Sequence, residues 1–374
     1  MTATTEATVN VKNNYEAQQE NLNKRIERGR EKAGNILDTI QNDGNLLNDF
    51  ILNLGNSSPI NFTSNGKVKM QIQDAEYTMH PHAVVQTGER LGINSTYIKD
   101  LANSSLDWKR ELISHDLNTF VANTERNRVL VRTVGSEVRG VLTDAYKRIN
   151  SAELYKTFIE ATQNLDMQVI DAHYDGLQGY LESVYPKVFS VATPRNGDMY
   201  FGFGARMRNS DFGVAPYELS LFAFQVVCYN GMQKMSAIKE VHLGRRLPED
   251  LRLADDTLIA DTRARNLIAR DAIRSIMSPK AIEQTMAQIQ QASDIVIDVD
   301  GKLKEISKSG KMDKGEIETL KRVITNNKPE DGVQGENTLL KLSQAIGRVG
   351  VISKDEARKR ELDALAYNLM VKKS

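Results

Sequence analysis

The stretch VFSVATPRNGDMYFGFGARMRNSD, residues 188–211, decides the fold class. Two runs of β-branched and aromatic residues flank Asn196-Gly197, a pair favoured in type I′ hairpin turns because both positions tolerate positive φ. Along residues 199–208, period-2 alternation places Phe201, Phe203, Ala205 and Met207 on one strand face. Tyr200, Gly202, Gly204, Arg206 and Arg208 fall on the other. The first face reads as core.

Outward from this hairpin the strand signals continue. Residues 128–132 and 138–142 are β-branched runs around Val134-Gly135-Ser136 and predict a second hairpin. Residues 68–72 and 238–243 predict short strands, and the apolar run 217–229 fits a buried strand or a helix. Helical periodicity is expected at 81–91, 95–102, 108–123 and 152–165. It returns beyond Asp255, with Ile282, Met286 and Ile289 marking a buried stripe and further helices at 314–325, 336–349 and 354–370. Leu22, Ile26, Ala33, Leu37 and Ile40 predict a helix over residues 11–55, after a loose tail and before a Ser/Asn/Pro/Gly linker at 57–66. The expectation is an α+β protein with a central, mostly antiparallel sheet and helical N- and C-terminal segments. Three regions follow: 1–65, a core at 66–255, and a helical region at 256–374 packing on it.

Composition narrows the function classes. Of 374 residues, 49 are Lys or Arg and 49 Asp or Glu, so any nucleic-acid site must come from local asymmetry in charge. Cys228 is the single cysteine, which excludes an internal disulfide and a cysteine metal cluster. No apolar run reaches the roughly 18 residues of a membrane span, and the polar N-terminus is unlike a signal peptide. The expected compartment is the cytoplasm.

Several motifs carry a resemblance. They are His82-Ala83-Val84-Val85-Gln86, Arg90-Leu91-Gly92-Ile93, Leu117-Asn118 and Val131-Arg132-Thr133. Val138-Arg139-Gly140-Val141-Leu142-Thr143-Asp144-Ala145-Tyr146 follows, then Asn209-Ser210-Asp211-Phe212-Gly213, Val227-Cys228-Tyr229-Asn230-Gly231-Met232 and His242. In order and spacing, over about residues 74–369, the chain resembles the phage, prophage and plasmid family catalogued as domain of unknown function 932. The resemblance implies a mobile-element origin in a bacterial host and supplies no activity or catalytic residues.

Chemical motifs are sparse. Gly202-Phe203-Gly204 lies inside a strand, where a dinucleotide loop cannot form, and Ser309-Gly310-Lys311-Met312 lacks the other elements of a P-loop. Asp298, Asp300 and Gly301 imitate part of a calcium loop, but Val296 and Ser307 fill its first and last ligand positions. Asp171, His173 and Asp175 alternate as hard-metal ligands would on a strand; a polar loop between helices is the plainer reading. His80 and His82 flank Pro81 as a helix start would. No nucleophile stands out, and Cys228 reads as a small buried hydrophobe. No metal or cofactor is expected, and nothing in the sequence argues for an enzyme.

The basic strands are the remaining signal. Tyr200 offers a stacking surface, Gly202 and Gly204 close approach, and Arg206 and Arg208 phosphate binding. Arg128 and Arg132 share another strand face, with Arg139 nearby. A solvated sheet face reads the same residues without a ligand. The leading expectation is a mobile-element accessory protein that binds single-stranded or partly unwound nucleic acid in replication or recombination, and that self-assembles into homo-oligomers. The alternatives are a non-catalytic assembly or host-interaction protein, and a metal-dependent nucleic-acid enzyme using Asp171, His173 and Asp175.

Overall fold

Leu22, Ile26, Ala33 and Ile40 recur at helical spacing, and all four are buried along one side of α1 (Thr2–Asn45). The helix begins nine residues before the expected residue 11 and ends ten before residue 55, next to Asp43-Gly44. Residues 47–54 are a strand instead, because the backbone of β1 (Leu47–Leu54) pairs residue for residue with β5 (Asn127–Val134). Local periodicity carried no trace of that partner. The computed structural model describes residues 2–56, 58–125, 127–228, 231–233, 238–240, 255–328 and 331–371.

The stretch expected to be a linker holds β2 (Asn61–Ser64), followed by β3 (Val68–Ile72) and β4 (Ala75–Met79). Helices α2 (Pro81–Arg90), α3 (Ser95–Ala102) and α4 (Asp107–Asn123) come next, close to their expected bounds. Their starts are set locally. The Asn94 side chain accepts from the Thr96 and Tyr97 amides, and Pro81 fills the first turn of α2 behind the His80 cap. β5 and β6 (Glu137–Thr143) form the predicted hairpin, with Gly135 at φ +55°. The six strands run β1-β5-β6-β4-β3-β2, antiparallel except for the β4–β6 pair. Side chains such as Val129, Val131, Val138 and Val141 pack this sheet against α2–α4. The boundary expected at residue 65 therefore runs through a single sheet.

After α5 (Ser151–Gln163) the chain builds the second sheet from β7 (Gln168–Tyr174), β8 (Gly179–Val184), β9 (Phe189–Val191), β10 (Met199–Asn209), β11 (Tyr217–Gln225), β12 (Gly231–Gln233) and β13 (Ile238–Glu240). Its order is β12-β11-β10-β8-β7, with β13 on β11 and β9 on β10, all antiparallel. The run at 217–229 resolves as strand β11 followed by a turn, and residues 241–243 lie outside the described residues. The hairpin at Asn196-Gly197 is not a two-residue turn. Only Gly197 has positive φ, because the Asn196 amide is buried and donates to the carbonyls of Gln334 and Glu336.

The C-terminal region is helical: α6 (Asp255–Ile276), α7 (Pro279–Asp294), α8 (Val299–Lys308), α9 (Lys314–Asn326), α10 (Leu339–Ser353) and α11 (Glu356–Val371). Ile282 and Ile289 are buried and Met286 packs beside them, in one core with Phe201, Phe203, Ala205 and Met207. The fold is α+β, with mixed and antiparallel sheets and helices at both ends. No helix among the described residues is long and apolar enough to cross a membrane.

Candidate functional site

The alternation along β10 is as expected, but both faces are buried. Phe201, Phe203, Ala205 and Met207 are each fully inaccessible in the large core. On the opposite face Tyr200 is 3% exposed and packs with Leu22 and Ile26 of α1, its ring edge-on to Tyr15 at 6.3 Å. Helix α1 lies so close to the sheet that a Cβ on Gly29 would collide with the backbone of Ile170. The two glycines of β10 admit protein, not ligand. Gly202 faces Phe224 and Gly204 faces Phe222 across the β10–β11 register, and each ring occupies the space a Cβ would need.

The arginines of the expected site are consumed by the fold. Arg206 is 4% exposed; its Nε donates to Glu182 Oε1 at 2.6 Å, its Nη1 to Gln233 Oε1 at 2.7 Å, and its Nη2 reaches Asp363 Oδ2 of α11 at 3.4 Å. Burial pushes the Asp363 carboxyl up, with Arg206 pulling against it. Arg208 is half-buried and donates to Gln178 Oε1. On the other sheet Arg132 is buried against Asp49, Asn150 and the Asp211 carbonyl. Arg139 binds Glu137, Asp43 and the Gly176 carbonyl, and Arg128 is half-buried opposite Asn53. Tyr200, Arg206 and Arg208 stand on one sheet and Arg128, Arg132 and Arg139 on the other. They form no common surface, because desolvating a guanidinium demands acceptors, and the fully buried Arg132 and Arg206 have found theirs inside the fold.

Residues bearing the family resemblance do converge, at the seam between the two sheets. Gln86 Nε2 donates to the Phe212 carbonyl at 3.0 Å while its Oε1 accepts from the Val141 amide at 2.8 Å, and His82 Nε2 lies 3.1 Å from the same carbonyl. Arg132 Nη1 holds the Asp211 carbonyl, and the half-buried Asp211 accepts from the Ser151 amide through its carboxylate at 2.9 Å. Tyr146 donates to the Ser210 carbonyl, and Asn209 donates to the Ile149 carbonyl. Gly213, at φ +79°, gives the chain its turn there. Burial holds His82 below the usual imidazole range and raises Asp211. This seam is a lock: its donors are closed internally, and Asn209 Oδ1 is left buried without a hydrogen-bond partner. Tyr229, Asn230 and His242 lie outside the described residues.

The metal candidates separate as well. Asp171 and His173 are on β7, a strand and not the loop expected between helices. Asp171 accepts from Lys32 and Tyr180, His173 stacks on Tyr180, and Asp175 caps the turn at Leu177 and Gln178. Asp298 and Asp300 start α8, which leaves no ligand loop there. Among the described residues no group of three or more His, Cys, Asp or Glu is placed to hold a metal ion.

What sequence reading missed is a basic groove along α1. Lys24, Arg25, Arg28 and Lys32 line it on one helix flank, with Ile170, Val226 and Val227 opposite and Asp171 the single carboxylate, around a cavity of about 470 Å³. Lys24 pairs with Glu20 and Lys32 with Asp171, both lysines half-exposed. Arg28 is exposed and pairs with no carboxylate among the described residues. The signal was present as positions 24, 25, 28 and 32 running beside the apolar stripe at 22, 26 and 33. No family model, curated protein or solved structure matches this chain.

Proposed function

We propose that this chain is a mobile-element accessory protein that holds single-stranded or partly unwound nucleic acid in replication or recombination, with the α1 groove as its contact. The observation that carries this reading is the groove's composition: four cationic side chains along one helix flank, two of them offset by Glu20 and Asp171, in a chain of zero net charge. Cations in a row along a helix neutralise phosphates without reading sequence. Of the apolar residues opposite, Val227 is exposed and offers unstacked bases, which a duplex hides, an apolar contact. The resemblance to the phage and plasmid family supplies the biological context. The Tyr200/Arg206/Arg208 platform is not part of the contact.

Binding of a labelled oligonucleotide as a function of salt tests the proposal. Replacing Lys24, Arg28 and Lys32 with Ala should weaken binding and flatten the salt dependence, by about 0.7 in log–log slope per lost phosphate contact on a single strand. Unchanged affinity in the triple variant, or no binding by the wild type at low salt, would overturn it. A second reading, an assembly or host-interaction protein, draws on Leu106 and Trp108, which are 50% and 57% exposed at the start of α4. It gains if the triple variant behaves as wild type and Trp108→Ala alters sedimentation.

A further inference from the structure

A second cavity, of about 560 Å³, lies among the ends of three C-terminal helices. It is lined by Asp298 and Asp300 at the start of α8, Thr325 and Asn327 at the end of α9, and Asn337 and Lys341 at the start of α10. Its walls are tied together: the Ile297 amide donates to the Asn337 carbonyl at 3.0 Å and the Leu339 amide to the Ile295 carbonyl at 2.9 Å. The size suits a small molecule.

Lys341 is the unusual member. The residue is 5% exposed and occupies the first turn of α10, where its amide donates to the Thr338 cap. A helix N-terminus is the unfavourable end for a cation. Among the described residues no carboxylate pairs with it. Its Nζ meets two acceptors, the Gly335 carbonyl at 3.0 Å and Asn337 Oδ1 at 3.2 Å. These two acceptors hold two of its N–H bonds, and the third position on Nζ has no acceptor among the described residues. With both N–H bonds engaged, the lone pair takes the remaining tetrahedral direction. Burial also pulls the amine below the usual lysine range.

We propose that Lys341 is a reactive amine that forms an imine with a small, neutral, hydroxyl-bearing aldehyde in this cavity. The Nζ lone pair attacks the carbonyl carbon and forms the C–N bond. The two amine protons leave with the carbonyl oxygen as water, so no external oxidant or reductant enters. Asp298 and Asp300 set the ligand class, because carboxylates at the cavity accept hydroxyl hydrogen bonds and repel an anionic keto acid. This site is independent of the α1 groove.

The test is reductive trapping of the intact protein with glycolaldehyde and cyanoborohydride at neutral pH, with peptide mass spectrometry as the readout. Lys341 should be modified faster than exposed Lys328 and Lys354, and its rate should rise at lower pH than theirs. Lys341→Arg keeps N–H donors for the Gly335 carbonyl and Asn337 but has no nucleophilic amine, so it should abolish the adduct while the other sites label as before. Glyoxylate, under the same conditions, should show no preference for Lys341. Labelling of Lys341 no faster than Lys328 would overturn the reactive amine, and equal preference with glyoxylate would overturn the ligand class.

Discussion

Arg206 on β10 and Glu182 on β8 form an ion pair at 2.6 Å with side chains 5% and 2% exposed, in the middle of a sheet covered on both faces. They are cross-strand partners, and the guanidinium also stacks over Phe222 at 5.2 Å from the ring centroid. Its loss therefore leaves two buried carboxylates, Glu182 and Asp363, without this cation. Arg206→Met should cost about 3–5 kcal/mol in denaturant unfolding. Adding Glu182→Met should recover part of that loss, because the orphaned charge goes too. A single-variant cost under about 1 kcal/mol would mean the pair is solvated.

Two glycines should respond to alanine in opposite directions. At Gly204 the new methyl would lie 2.8 Å from a Phe222 ring carbon and would press on the Ser183 carbonyl, so Gly204→Ala should cost about 1–3 kcal/mol. Gly34, inside α1, has open space around its Cβ position. Gly34→Ala should stabilise by about 0.5–1 kcal/mol. Paired thermal melts of the two variants check both signs.

Helix α1 should melt with the body of the protein. Leu22 is fully buried against the sheet, so Leu22→Ala should lower stability by about 2–5 kcal/mol. The loss should appear in the single main transition followed by the fluorescence of Trp108, which sits on the other sheet's helices. A change confined to early loss of helical circular dichroism would show α1 to be an independent element.

Histidine protonation should open the seam from the acid side. Burial holds His80 and His82 below their ordinary range, so the unfolded chain binds protons first as pH falls. The stability they contribute is present above about pH 6.5 and is lost as pH falls through their folded values. His82→Gln retains a donor for the Phe212 carbonyl and removes the proton uptake. The drop in unfolding midpoint between pH 7.5 and pH 5.5 should therefore be smaller in that variant than in the wild type.

Elements carrying their own instructions were legible in the sequence. The caps of α2 and α3, the β-branched hairpin of β5 and β6, and the alternation of β10 depend on neighbours a few residues away, and they stand where those neighbours predict. The core face of β10 was legible for the same reason. Its other face was not: Tyr200, Gly202, Gly204 and Arg206 suit a ligand platform and a buried seam equally well. What decided between them was α1 from the N-terminus and Asp363 of α11, 157 residues beyond Arg206. Strand β1 shows the same limit, since its extended form depends on a partner some 80 residues later. Periodicity reports which face of an element is apolar. Whether the polar face meets water, an ion-pair partner or another helix is settled by long-range packing, through the cost of leaving a charge without acceptors.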